Sequence, residues 1–303
     1  MAAVAIEPKN EQHWRELRAV DVTSTESPAL FNLSPYCTEL ELFTRKKDAV
    51  IVELESNERM LWGNRLQDAI AHGIAEDQGW EIRRMNEYVR DEELRMGSSF
   101  DFAIGDEGLL EIKNVDALAF RDGWLVSDEG VEAPLHIELQ LQHQFAVTGR
   151  KFGYIGALVG GNRVVLLKRE PQADVIDSLR SKVAAFWDRV NRGEMPPIDF
   201  ARDAGFIAQL YSNAMAGKVF DARGNEEITG LALKYRELGD SAKQIESARD
   251  AIKAQLLMTI GDAEKAIADG FSITAGVVAG GHVEYECKAY RGFRVNWKKE
   301  KSA

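Results

Sequence analysis

The stretch from Ser98 to Lys113 constrains the fold more than any other part of the chain. Ser98-Ser99-Phe100-Asp101-Phe102-Ala103-Ile104 and Leu109-Leu110-Glu111-Ile112-Lys113 are each of strand length and alternate or run apolar. Gly105-Asp106-Glu107-Gly108 between them reads as a hairpin turn. The reading places Asp101 on one strand and Glu111 and Lys113 on its neighbour. Strand side chains repeat every two residues, so Glu111 and Lys113 project from one face. Two carboxylates and an ammonium group then converge on a small volume. Carboxylate oxygens are hard ligands suited to Mg²⁺, which takes one or two of them together with water and substrate phosphate. A lysine beside such a site can hold or help deprotonate an attacking water. Charges of this pattern also occur on strands that simply face water. Here Ile104, Leu109, Leu110 and Ile112 mark core strands, where a charge needs a partner or a metal.

At 303 residues the chain can bury a substantial core, and one large domain with an appendage is expected. Its 45% hydrophobic content fits an ordinary globular protein. No apolar run approaches a membrane span, and the N-terminus lacks a basic region ahead of a hydrophobic one, so a cytoplasmic protein without membrane association is expected (host cytoplasm if phage-encoded). Cys37 and Cys287 lie far apart without metal-ligand spacing and read as reduced thiols. The net charge of −11 argues against a general polyanion-binding surface but leaves room for a local basic groove.

Along the chain, His13 to Arg18 reads as helix and breaks at Asp21-Val22-Thr23. Ser24 or Thr25 ahead of Glu26 gives the N-cap signature of a second helix, whose free N–H groups, with Arg18 nearby, suit a phosphate; a plain capped helix is the other reading. Met60, Leu61, Leu66, Ile70 and Ile74 recur at helical steps from Asn57 to Gly79. Trp80 to Met85 is extended, and the charged run Asn86 to Arg95 reads as an edge strand or solvated loop. Asn114 to Pro134 reads as a loop-rich insertion. His136 to Gly149 reads as a helix with a glycine stop. The strands Tyr154–Val159 and Val164–Leu167 follow, joined by a Gly-Gly-Asn-Arg turn. The helix Asp174–Asn191 ends ahead of Pro196-Pro197. Beyond it, Glu226 to Ile260 carries Leu231, Tyr235, Leu238, Ala242, Ile245, Ile252 and Leu256 near heptad spacing, with Gly239 as a weak point, and reads as a long helix packed on a neighbour or another subunit. A β ending is expected at Phe271–Thr274, Val283–Lys288 and Phe293–Val295, then a basic tail of Lys298, Lys299 and Lys301. Domains are expected at 1–212 and 213–303.

Taken together, His13-Trp14-Arg15-Glu16-Leu17-Arg18 with Thr23-Ser24, Leu61-Trp62-Gly63-Asn64-Arg65-Leu66, Ser99-Phe100-Asp101, Glu111-Ile112-Lys113 and Gln140-Leu141-Gln142 resemble, in order and spacing, the YqaJ-type viral recombinase nucleases. These are the phage lambda exonuclease-like branch of the PD-(D/E)XK superfamily. The resemblance covers about residues 10 to 192. It implies an α/β fold with a restriction-endonuclease-like core, a mixed central sheet flanked by helices, and places the C-terminal long helix and β ending outside that core.

The activity it implies is 5′→3′ exonucleolytic degradation of duplex DNA with Mg²⁺, for which Mn²⁺ substitutes. The product is a 3′ single strand for a strand-annealing partner, and a homo-oligomer (ring, trimer or tetramer) is expected. Asp101, Glu111 and the Ile112 carbonyl would hold metal ions, Lys113 would position or activate water, and Gln140 would steady Lys113 or the water. Arg18, Thr23, Ser24 and Ser99 would bind DNA at its 5′-phosphate. In-line displacement calls for two metals some 3.5–4 Å apart. Two positions depart from the family pattern. Gln67 stands where a metal-binding glutamate is expected, with Asp68 or Glu76 as substitutes, and Ile137 stands where a tyrosine is frequent. The competing expectations are a PD-(D/E)XK endonuclease and a non-catalytic DNA-binding ring scaffold.

Overall fold

The computed structural model describes residues 3–51, 58–128, 130–282, 284, 286, 289 and 291–297. The chain divides into the units Met1–Phe206 and Ile207–Ala303. The first begins with β1 (Val4–Ile6), α1 (Glu11–Val20), β2 (Val22–Thr23), the 3₁₀ turn η1 (Ser27–Phe31) and α2 (Glu39–Lys47). Next come α3 (Glu58–Gln78), β3 (Ile82–Arg84), β4 (Tyr88–Asp91), β5 (Met96–Ser98), β6 (Phe102–Ile104) and β7 (Gly108–Val115). After β7 the chain forms α4 (Ala117–Gly123) and the hairpin β8 (Leu125–Ser127) and β9 (Gly130–Glu132). Then α5 (Leu135–Thr148) leads to β10 (Phe152–Val159), β11 (Arg163–Arg169), α6 (Ala173–Arg192) and the short α7 (Ala204–Leu210), which spans the division.

A five-stranded sheet of order β11-β10-β7-β6-β3 carries the site. β3, β6 and β7 are antiparallel neighbours, and α5 returns the chain so that β10 runs parallel to β7. A mixed sheet flanked by helices is the arrangement that the motifs imply. Side chains of β7 alternate across the sheet. Leu110 and Ile112 join Phe102 and Ile104 against Ile70, Ala71 and Ile74 of α3, whose spacing of one and four residues forms one helix face. Gly156 permits this approach, because a Cβ there would lie 2.7 Å from the Ile74 Cδ1. On the opposite face, Leu109 and Ile155 pack in the same core as Leu141 and Phe145 of α5.

A second sheet, of order β1-β4-β5-β2, packs on the other side of α5. That helix is consequently buried nearly all round, from Ile137 through Val147. A helix so enclosed must satisfy its polar side chains internally. Gln142 does so with the backbone, donating to the Glu170 carbonyl at 2.9 Å and accepting from the Gln172 N–H at 2.8 Å. The His143 Nε2–H donates to the Gly97 carbonyl at 3.1 Å, while its Nδ1 meets no partner.

Several expectations need correction. Ser98–Ile104 is not one strand: the chain leaves one sheet after Ser98 and enters the other at Phe102, so Asp101 occupies the bend between them. The charged run after Met85 includes β4, which is interior to its sheet rather than at the edge. Its charge is tolerated there because Arg90 pairs at 2.7 Å with the fully buried Asp21, which also accepts from the Tyr88 hydroxyl. No helix is capped by Ser24 or Thr25. η1 starts at Ser27 as five residues of 3₁₀ turn, and the Glu26 carboxylate instead receives the Thr23 N–H and hydroxyl. The loop-rich insertion contains α4 and the β8–β9 hairpin, with Asp116 capping α4 through the Ala119 N–H.

The second unit contains α8 (Glu226–Ile260), capped by Asn225 and continuous through Gly239, with none of its residues buried. The hairpin β12 (Lys265–Ala268) and β13 (Phe271–Thr274) follows. Phe293–Val295 is not a strand. Cys287, Lys298, Lys299, Lys301 and part of Val283–Lys288 lie outside the described residues. Among those described, no helix is long and apolar enough to cross a membrane.

Burial holds the His143 imidazole neutral, with its pKa pushed down to about 3. Below pH ~6.5 the unfolded chain therefore takes up a proton that the folded chain refuses, so stability falls as pH drops from there toward 3. Between pH 7 and pH 5 this single group is expected to cost roughly 2 kcal/mol. Urea unfolding of wild type and His143→Gln at both pH values checks this: the variant should lose less stability on acidification by about that amount.

Candidate active site

The site forms where the β6–β7 ladder ends. Phe102 still pairs with Leu110, but beyond it the chain turns toward β5 and leaves that edge of β7 without a backbone neighbour, while β10 continues along the other. The Asp101 carboxylate fills the gap: its Oδ2 accepts the Ile112 N–H at 2.7 Å. This bond fixes Asp101 beside the Glu111–Lys113 segment although it lies on no strand.

Glu111 and Lys113 share the face of β7 turned toward α5, as period two requires. Lys113 Nζ donates to Glu111 Oε1 at 2.7 Å and to Gln140 Oε1 at 2.9 Å. Gln140 Nε2 in turn donates to Glu111 Oε1 at 2.5 Å, closing a three-membered ring of side chains. Gln144, one helical turn on, donates to Glu111 Oε2 at 2.8 Å. Glu111 is only 5% exposed, so these three donors supply what water cannot. Burial, and then the negative charge of Glu111, push the Asp101 carboxyl up to about 7. Burial by itself would lower Lys113, but Glu111 and Asp101 outweigh it and hold the ammonium above its usual pKa. Lys113 is thus a firm cation in a pocket with two acidic groups.

On the other side of the sheet, α3 brings Gln67 to Asp101. Gln67 Nε2 donates to Asp101 Oδ1 at 2.5 Å, while its Oε1 accepts from Arg84 Nη2 at 3.2 Å. Arg84 uses its other arm on Asp68 Oδ1, also at 2.5 Å. Asp68 is therefore engaged with Arg84 at the surface. Glu76 is exposed and lies roughly 13 Å further along the helix, at about 1.5 Å per residue. Ile137, where a tyrosine was expected, is buried in the main core.

A second polar cluster adjoins the first. Arg18 Nη2 donates to Thr25 Oγ1 at 3.2 Å and stands 3.5 Å from Thr23 Oγ1, with its guanidinium 4.6 Å from the Trp14 ring centroid. Trp14 Nε1 donates to Ser99 Oγ at 2.7 Å. Ser24 is buried, and its hydroxyl accepts from Ser98 Oγ at 2.8 Å. The structure thus gathers Arg18, Thr23 and Ser99 around Trp14 and Thr25, with Ser24 held beneath by Ser98. Gln144 links the two clusters, since it also reaches the Ser99 carbonyl at 3.4 Å.

Among the described residues no three His, Cys, Asp or Glu side chains converge as a ready metal site. Two carboxylates nonetheless satisfy Mg²⁺, which keeps several waters and needs only one or two such ligands. Burial, and then the negative charge of Glu111, keep Asp101 from ionising easily, and a divalent cation would offset the repulsion between the two carboxylates. The donor set therefore fits the ion. The sequence analysis does not single out Gln144, Arg84 or the role of Trp14. Gln144 alone was findable, from its four-residue step after Gln140 on one helix; Arg84 reaches the site only through the pairing of β3 with β6.

Fold and site define an α/β protein whose mixed sheet gathers two carboxylates and a lysine at the end of the β6–β7 ladder. Residues 13–151, the segment that holds the two polar clusters, match the model of the YqaJ-like viral recombinase domain. The chain is 24% identical over 255 residues to the uncharacterized protein YqaJ of Bacillus subtilis (strain 168), covering 82% of this chain and 78% of the relative. Among solved structures it is similar to an alkaline exonuclease, LHK-Exo, from Laribacter hongkongensis (18% identity, TM-score 0.49, 65% of this chain and 100% of that one). It is also similar to a phage-related exonuclease from Haemophilus somnus 129PT (12% identity, TM-score 0.42, 60% and 100%).

The floor of the Arg18 cluster is an ion pair. Lys46, 4% exposed, donates to Glu26 Oε2 at 2.8 Å and to the Arg18 carbonyl at 2.7 Å. Removing one member of such a pair leaves a charge uncompensated, at a cost of roughly 3–5 kcal/mol. Lys46→Met should lower the urea-unfolding free energy by about that much. Adding Glu26→Gln should restore most of the loss.

Proposed function

We propose that this protein is a Mg²⁺-dependent nuclease that degrades duplex DNA from its 5′ ends, with Mn²⁺ able to substitute. The observation that carries the reading is the meeting of Asp101 and Glu111 beside a cationic Lys113 that shares Gln140 with Glu111. Asp101, Glu111 and the Ile112 carbonyl hold the cation. In a strand the N–H and C=O of one residue leave on the same edge, so this carbonyl shares the opening of the N–H that Asp101 captures. When bound, the ion supplies Lewis-acid stabilisation of charge developing on the phosphate oxygens.

The chain's own groups do the rest. Lys113, held by Glu111 and Gln140, is placed to orient or activate the attacking water and to offset phosphate charge. Gln140 keeps the ammonium aimed at the site. Arg18, Thr23 and Ser99, with Ser24 shaping the pocket floor, take the 5′-phosphate and so give the enzyme its direction. The reading extends to a 3′ single-stranded product for an annealing partner, to a homo-oligomer, and to a nuclease domain of 1–212 followed by an extension of 213–303.

Linear duplex bearing 5′-phosphate or 5′-hydroxyl ends, and covalently closed circles, incubated with Mg²⁺ or EDTA, test this directly. The expected outcome is Mg²⁺-dependent loss of linear DNA, fastest with 5′-phosphate, and intact circles. Nicked circles would identify an endonuclease, and end binding without degradation would identify a scaffold. Lys113→Ala and Asp101→Ala should abolish degradation while retaining DNA binding; full activity in either refutes the assignment. Arg18→Ala removes a charge-assisted hydrogen bond worth about 1.5–3 kcal/mol, so the preference for 5′-phosphate over 5′-hydroxyl should fall about 10- to 100-fold.

A further inference from the structure

We infer that the Gln67–Arg84 pair restricts each chain to a single divalent cation. The inference rests on the reading of Asp101 and Glu111 as cation ligands, and it departs from the two-metal arrangement that phosphoryl hydrolysis often uses. The Gln67 amide has one workable orientation. As it stands, its NH₂ faces the Asp101 carboxylate and its oxygen faces the Arg84 guanidinium. Flipped, it would set oxygen against carboxylate and NH₂ against guanidinium, repelling at both ends. Arg84, about half exposed, meets Asp68 with its second arm and is placed opposite Phe102 by the β3–β6 register. The guanidinium therefore locks Gln67 as a donor and prevents its oxygen from acting as a ligand.

The remaining lone pairs are few. A carboxylate offers about four acceptor sites. Asp101 has given one to Gln67 and one to Ile112, and Glu111 has given one each to Lys113, Gln140 and Gln144. What is left suits one octahedral ion that keeps several waters. A second ion would need another anionic ligand, and the adjacent candidate, Asp68, is committed to Arg84. Gln67 and Arg84 are positioning residues: they aim Asp101, and the positive charge of Arg84 stands at the margin of the site where a second cation would otherwise be required.

The test is a Mn²⁺ titration of the full-length protein, with free Mn²⁺ read by electron paramagnetic resonance. It is run with and without a 5′-phosphorylated duplex whose terminal linkage is a non-hydrolysable phosphonate, against a DNA-only blank. Wild type should bind one equivalent per chain in both conditions. The double variant Gln67→Glu with Arg84→Met supplies a carboxylate and removes the competing cation, and should bind two. Two equivalents in wild type overturn the inference while leaving the nuclease reading intact, as does a single equivalent in a folded double variant. No binding by wild type overturns the cation-site reading itself. The wild-type count decides the matter even where the double variant fails to fold.

Discussion

The hydrogen bond from the Ile112 N–H to Asp101 Oδ2 is the interaction on which the site depends. β7 is the buried centre of its sheet, and a buried strand cannot leave an N–H unpaired without a penalty of about 1–3 kcal/mol. The chain nonetheless forks there, because Ser98 belongs to one sheet and Phe102 to the other. A side-chain carboxylate that completes the ladder resolves both demands. It also delivers an acidic group to the mouth of the fork, beside the two polar residues that β7 turns toward α5. Backbone satisfaction and site assembly are thus one event, and a residue other than Asp at 101 would have to solve the first problem before it could contribute to the second.

Most of the frame was legible in the sequence because it follows from periodicity. The α3 face of Ile70 and Ile74, the β7 alternation and the Gly149 stop of α5, which adopts φ +68°, are local patterns with local causes. The β6–β7 turn and the Glu111–Lys113 pairing are legible for the same reason. The fork was not: alternation continues through Ser98–Ile104 even though the chain changes sheets within it, since either sheet rewards an apolar residue at every second position. The interior place of β4 was hidden for a different reason. Arg90 reads as a surface charge until Asp21, 69 residues earlier, is seen to neutralise it.

The polar side chains of the site were partly legible. Asp101, Glu111, Lys113 and Gln140 meet, since three of them stand on one hairpin or its continuation and the fourth on the helix that crosses back. Arg84 and Gln67 were invisible as a pair because their contact depends on α3 packing on the sheet that β3 joins through β6, which no spacing encodes. The Ser24–Glu26 segment shows how a local signature can mislead. Its residue types suit an N-cap, but Glu26 turns back to Thr23 and Lys46, so the turn is organised by a buried charge rather than by a helix end. Burial would raise the Glu26 carboxyl, but Lys46 and Arg18 hold it below its usual range.

The glutamines of α5 follow from its burial. A helix enclosed between two sheets tolerates polar residues only when each finds a partner, and on this helix they serve opposite ends of the same requirement. Gln142 and His143 bind backbone carbonyls of neighbouring elements and so lock the helix in place. Gln140 and Gln144, four residues apart, converge on one carboxylate and hold both of its oxygens. Glu111 therefore has its orientation set before any ligand arrives, by groups whose own positions are set by core packing. Such supporting partners decide how well a first ligand is aimed, commonly by 10- to 100-fold in metal affinity or activity. Gln144 also touches the Ser99 carbonyl, so a displacement of α5 would disturb Glu111 and the Arg18–Trp14–Ser99 cluster together. The two halves of the site are thereby held to one spacing by one helix.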